Sequence, residues 1–180
     1  MGIPPQFYDV KDKLFYGSLL AFIGGFIPYI GGAISLIGAI FFIIGVYQFR
    51  VYNYRVWDIY KKLLITSILF ALFIVISVVG YINGYTMLVV IFGVLTIVSL
   101  IGNIYYKIEY LRTFYHITKI IEFDKAREFY IIGLATAIIL VGFILLIVSQ
   151  VFEIIAYSKL PGELFENKKE KENDSQPQVY

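Results

Sequence analysis

A chain of 180 residues with 59% hydrophobic and only 16% charged side chains, at a mean hydropathy of +0.79, is too apolar to close around a water-soluble core of its own size. Its formal charge of +2 is too small to imply a nucleic acid or an acidic substrate, and the absence of cysteine excludes disulfides, thiolate catalysis and cysteine-held zinc or iron–sulfur clusters. The composition implies an integral membrane protein with one helical domain over residues 1–161 and a polar tail over 162–180.

The start, Met1-Gly2-Ile3-Pro4-Pro5-Gln6, lacks the pattern of a cleaved secretory signal, and Gln6 stands where a myristoylation motif needs Ser or Thr. Asp9, Lys11, Asp12 and Lys13 complete a short polar lead. An apolar run follows that is too long for one crossing, because a hydrocarbon core of roughly 30 Å takes about 20 helical residues. It is broken at Gly24-Gly25-Phe26-Ile27-Pro28-Tyr29-Ile30-Gly31-Gly32, where Pro28 cannot donate within a helix and the glycines accept a turn. Two helices are predicted, over 14–27 and 29–49. Small residues recur at steps of four, Gly17, Ala21 and Gly25 on the first and Gly31, Ser35 and Ala39 on the second. Such stripes let helix backbones approach closely, and a glycine-lined pore is the sharper alternative.

Residues 50–62 alternate basic and aromatic side chains, Arg50, Tyr52, Tyr54, Arg55, Trp57, Tyr60, Lys61 and Lys62 among them, the composition of a headgroup belt. A third helix is predicted over 63–82. Asn83-Gly84 supplies left-handed geometry to a tight connection, and a fourth span covers 85–106. Its helical pattern continues over 104–123 as an amphipathic segment, with Glu109, Arg112, Thr113, His116 and Lys119 on the polar face. Glu122-Phe123-Asp124-Lys125 breaks that pattern, with Asp124 as the N-cap of a fifth helix over 126–157 whose spanning part is 129–151. Gly133, Ala137 and Gly142 are its expected contact points. The tail from Glu163 is expected to be disordered.

The predicted fold is therefore all-α: a polytopic helical membrane protein of five transmembrane helices, with a short broken first hairpin and a long fourth helix extended as an amphipathic segment. Eleven of the fifteen basic residues fall in the lead and in the connections after the second and fourth spans. The positive-inside rule makes that side cytoplasmic, in a cell membrane, and five crossings then put the C-terminus outside.

Chemistry is hard to find. The centres of all five predicted spans lack Asp, Glu, Lys, Arg and His, which argues against proton-coupled transport and intramembrane hydrolysis. Asn103, Gln150 and Glu153 lie near span ends, as interfacial or inter-helix hydrogen-bonding groups. The one histidine, His116, falls four residues after Arg112 and seven after Glu109, with no third partner at a zinc-like spacing. No catalytic residue, metal ligand or cofactor site is expected, and an Arg112–Glu109 pair on a solvated face accounts for the pattern.

The break Pro28-Tyr29-Ile30-Gly31 with Leu36-Ile37-Gly38, and the last helix with Ile132-Gly133-Leu134, Val141-Gly142-Phe143 and Tyr157 leading to Pro161, resemble an uncharacterised, mostly archaeal membrane-protein family, domain of unknown function 996, over most of residues 14–160. The resemblance implies a small multi-span membrane protein and brings no activity. A non-enzymatic scaffold, accessory subunit or membrane-organising protein is the expected function. Its partners would be the lipid bilayer and either another protein or a second copy. A small transporter or channel using the interrupted first hairpin is the alternative, and an interfacial enzyme using His116 and Glu109 a third.

Overall fold

The computed structural model describes residues 7–137 and 140–160, and its described elements are all helical: α1 (Phe7–Gly24), α2 (Gly31–Phe49), α3 (Tyr54–Ile82), α4 (Thr86–Thr118), α5 (Ile121–Ala135) and α6 (Leu140–Ser158). They pair in chain order as three antiparallel hairpins. The expectations for the first six residues and for the tail after 161 lie outside the described residues. Four helical stretches are long and apolar enough to cross a membrane: α2, α3, α4 and Val141–Ser158 of α6.

Glycine sets the first pairing. A Cβ at Gly38 would lie 2.3 Å from the Ala21 nitrogen, and one at Gly17 2.5 Å from the Phe42 nitrogen, so the two backbones touch where neither side has a side chain. Gly24 meets Ser35 and Gly31 in the same way, and the Ser35 hydroxyl donates to the Ala21 carbonyl at 2.9 Å. Gly17 and Gly24 on α1 face Gly38 and Gly31 on α2, and Gly45, one further step along α2, packs on Leu14, a step of seven throughout. A seven-residue period keeps one seam in register along two helices crossed at a shallow left-handed angle. The expected stripe was thus right for Gly17 and Ala21, but Gly25 meets only its own helix, at the Phe22 carbonyl. α1 also ends earlier than predicted, at Gly24 rather than 27, and Tyr29 takes the left-handed conformation (φ 65°) in the turn.

Helices α3 and α4, 29 and 33 residues long, reach about 44 and 50 Å at ~1.5 Å per residue. The Asn83-Gly84 connection forms as expected, with Gly84 at φ +73° and the Asn83 amide donating to the Val79 carbonyl. α3 starts nine residues before its predicted bound of 63. The Asn53 side chain caps it by accepting from the Arg55 nitrogen at 3.0 Å, Asp58 pairs with Lys62 at 2.8 Å one turn on, and Val56, Ile59 and Leu63 form its buried stripe. Only 50–53 are left as the connection.

The fifth predicted helix differs most. Instead of one helix over 126–157, α5 ends at Ala135 and α6 begins at Leu140, and the two fold back on each other. The Ser149 hydroxyl donates to the Ala126 carbonyl at 2.7 Å, Gly133 packs on Leu146, and a Cβ at Gly142 would sit 2.4 Å from the Ala137 nitrogen. No single span therefore runs over 129–151. The expected C-terminus on the side opposite the N-terminus rested on five crossings; with α5 and α6 antiparallel, Leu160 returns to the end of the bundle that holds Val10. The break before α5 also moves. It falls at Lys119, left-handed at φ 58°, and Asp124 lies inside the first turn, paired with Arg127 at 2.7 Å, rather than capping it.

All three hairpins meet at this end. Val10 and Leu14 of α1, Val46 and Phe49 of α2, Val56 and Ile59 of α3, Tyr110, Leu111 and Phe114 of α4, Phe123 and Ala126 of α5, and Ala156, Tyr157 and Leu160 form one buried cluster. Away from it the α3–α4 hairpin stands with its apolar side chains exposed, from Ile65 to Ile101.

Replacing Gly38 by alanine should force α1 and α2 apart and lower stability by about 1–3 kcal/mol, as overpacking does. Gly93→Ala, where no atom lies within 4 Å of the added methyl, should be neutral or slightly stabilising. Thermal unfolding in mild detergent followed by circular dichroism separates the two.

Candidate functional site

The polar chemistry of the described residues is gathered at the cationic end, in two places. The first is internal. Glu153 of α6 is 1% exposed; it accepts from the Lys107 ammonium of α4 at 2.6 Å through one carboxylate oxygen and from the Tyr157 hydroxyl at 2.8 Å through the other. With the Tyr157 proton committed to Glu153, Tyr110 donates to the Tyr157 oxygen at 3.0 Å. A buried carboxylate without partners would be costly, and here each oxygen has one. The chain Lys107, Glu153, Tyr157, Tyr110 thus ties α4 to α6, the inter-helix role expected of Glu153. Asn103 plays it too, donating to Ser67 across the α3–α4 hairpin.

The second place is open to solvent. Asn53 and Arg55 at the start of α3 and Glu109, Arg112, Thr113, His116 and Ile117 on the last turns of α4 line a shallow pocket of ≈ 360 Å³. Glu109 holds Arg55 at 2.9 Å and lies 4.0 Å from Arg112, so the expected Arg112–Glu109 pair is the looser of two. Arg55 remains 71% and Arg112 56% exposed, with His116 beside them. One carboxylate faces two guanidiniums and an imidazole, which leaves the pocket with a net positive charge. Among the described residues, no three His, Asp or Glu side chains converge as a metal site would need.

Aromatic rings accompany the basic side chains around the start of α3. Arg50 lies 3.7 Å over the Tyr47 ring, Trp57 meets Tyr47 edge-on at 5.1 Å, and Lys61 lies over Tyr54. At the foot of α5 the Lys159 ammonium bonds Glu122 and holds its carboxyl below the usual carboxylate range.

An uncharacterized protein of the archaeon Methanocaldococcus jannaschii is 38% identical over 68 residues. The chain is similar to an archaeal protein of unknown function. The match covers 38% of this chain and 38% of the relative, so it spans well under half of either. No protein-family model matches the chain, and the resemblance to domain of unknown function 996 gains no matching model. No solved structure matches it either.

The Lys107–Glu153 pair was not legible in the sequence, since its members lie 46 residues apart. Breaking it one-sidedly leaves a buried charge, so Lys107→Met should cost about 3–5 kcal/mol. Lys107→Met with Glu153→Met should recover much of that loss, because no charge is then stranded. Melting of the two singles and the double in one detergent checks this; strictly additive losses would mean that the groups act independently.

Proposed function

We propose that this chain is a non-enzymatic, membrane-embedded organising protein that works through its cationic end, where it holds anionic headgroups at the cytoplasmic surface and presents a surface to a protein partner or a second copy. The observation that carries this reading is the sorting of charge: Lys11, Lys13, Arg50, Arg55, Lys61, Lys62, Lys107, Arg112, Lys119, Lys125, Arg127 and Lys159 all lie at the end where the hairpins are joined, and the Asn83-Gly84 tip has none. Lys and Arg gather on the cytoplasmic side of membrane proteins, and each basic group near an anionic surface contributes about 1 kcal/mol.

On this reading both the first and the last helical ends face the cytoplasm in a multi-pass arrangement. Nucleic acid is not a partner. Kinship with the archaeal family of domain of unknown function 996 rests on the glycine-spaced runs, and the relative adds an archaeal source alone. The spans with polar centres that a transporter would use are not what this sequence offers.

The open pocket provides the test. Protein released from vesicles that mix phosphatidylglycerol with phosphatidylcholine should retain the anionic lipid selectively in native mass spectrometry. Arg55→Ala and Arg112→Ala should each lower that retention by about fivefold. Retention that ignores both arginines, together with no partner recovered in gentle detergent, would remove the proposal.

A further inference from the structure

The three hairpins start from one level and do not reach equally far. Ring contacts fix that level: Phe42 of α2 meets Tyr60 of α3 at 5.7 Å and Tyr157 of α6 at 5.4 Å, Tyr60 meets Tyr110 of α4 at 5.6 Å, and Phe123 of α5 meets Tyr157 at 5.2 Å. From it, α3 runs to Ile82 and α4 back to Thr86 over roughly 33–36 Å, whereas α2 to Gly31 and α5 to Ala135 cover roughly 17–18 Å at the same rise per residue. Even α6, the longest arm of the shorter pairs, reaches Leu140 in roughly 25 Å. Measured from that level, only the α3–α4 pair is long enough to cross a hydrocarbon core of roughly 30 Å, although α2 and α6 over their whole lengths are of spanning size.

The tips differ as their depths would require. The long hairpin ends in Asn83-Gly84 between exposed Tyr81 and Tyr85, a polar turn with the aromatic anchors of a membrane surface. The α1–α2 tip is Gly25-Phe26-Ile27-Pro28-Tyr29-Ile30 and holds no charged group. Gly25, Phe26, Ile27, Ile30 and Gly31 donate to nearby carbonyls, Pro28 has no N–H to place, and of the tip's amides that of Tyr29 alone bonds to no backbone carbonyl. Irregular backbone that meets hydrocarbon must satisfy itself in this way. The sequence between α5 and α6, Thr136-Ala137-Ile138-Ile139, is equally uncharged.

We infer that α1–α2 and α5–α6 are wedges that end inside the hydrocarbon, filling the leaflet beside the cationic end and stopping short of the far surface, that among the described helices α3–α4 alone crosses, and that the protein consequently favours and supports membranes bent with the cationic leaflet convex. Six helices fill the leaflet beside the cationic end and two reach the far surface. At a diameter of ~10–12 Å per helix, the difference is roughly 400 Å² of cross-section on one side. This rests on the membrane-embedded reading above and gives the organising role a mechanism.

The cysteine-free sequence allows a direct test. Single-cysteine variants Tyr29→Cys, Thr136→Cys, Asn83→Cys and Arg55→Cys are made in the full chain and treated with a membrane-impermeant maleimide, in spheroplasts and in inverted vesicles of the expressing host. Asn83→Cys should react in spheroplasts only and Arg55→Cys in inverted vesicles only. Tyr29→Cys and Thr136→Cys should react in neither until detergent is added. Reaction of either one in spheroplasts overturns the inference; Asn83→Cys and Arg55→Cys reacting in the same preparation instead overturns the membrane-crossing reading beneath it. Purified wild-type chain reconstituted into small and large phosphatidylglycerol vesicles should reach a severalfold higher protein-to-lipid ratio in the small ones, and an equal ratio would rule out the preference for curvature.

Discussion

Phe114 is the point on which the fold depends. Fully buried in the last third of α4, its ring meets Phe49 of α2 at 5.1 Å, Tyr110 one turn away at 4.9 Å, Phe123 of α5 at 4.9 Å and Tyr157 of α6 at 5.7 Å. Within lipid, apolar side chains gain little by leaving hydrocarbon for one another, so helices there associate through close backbone packing and hydrogen bonds. At the cationic end, where water competes, aromatic burial contributes in full. This division explains the shape of the molecule. Pairs of helices are zipped by glycine and small residues inside the apolar region, and the pairs themselves are joined by rings outside it.

The parts of the fold legible in the sequence are those with local causes. Pro28 with its flanking glycines, and Asn83-Gly84, each announce a reversal through the conformations that they forbid or allow. The amphipathic run after 104 was likewise visible; its part up to Thr118 forms the last 15 of the 33 residues of α4, whereas 121–123 belong to α5. The reversal between α5 and α6 gave no such notice, because Ala135-Thr136-Ala137-Ile138-Ile139-Leu140 holds neither proline, glycine nor charge and reads as uninterrupted helix. Its signal was indirect: Gly133 and Gly142 lie on the two arms close to the reversal, where each makes room for the other helix. The step of seven from Gly17 to Gly45 was an equally readable sign of pairing, obscured by the neighbouring Gly25 and Gly32.

The candidate site was legible only in its exposed half. Glu109, Arg112 and His116 share a helix face by spacing alone, but Asn53 and Arg55 reach them from a different helix, and α3 had to begin at Tyr54 for that to happen. The buried half depends on which turn of α4 faces which turn of α6, and that follows from the unforeseen reversal. Glu153 could be named as a carboxylate that would need a partner if buried. Lys107 could not be named as the partner.

That ion pair also bears on how the chain is assembled during synthesis. Lys107 emerges from the ribosome 46 residues before Glu153. When the carboxylate is added, the ammonium that neutralises it in the folded protein is already part of the chain, so the acid never precedes its partner. Reversed in order, with the acid made first, the same two residues would present the insertion machinery with an unpaired anion for the whole interval.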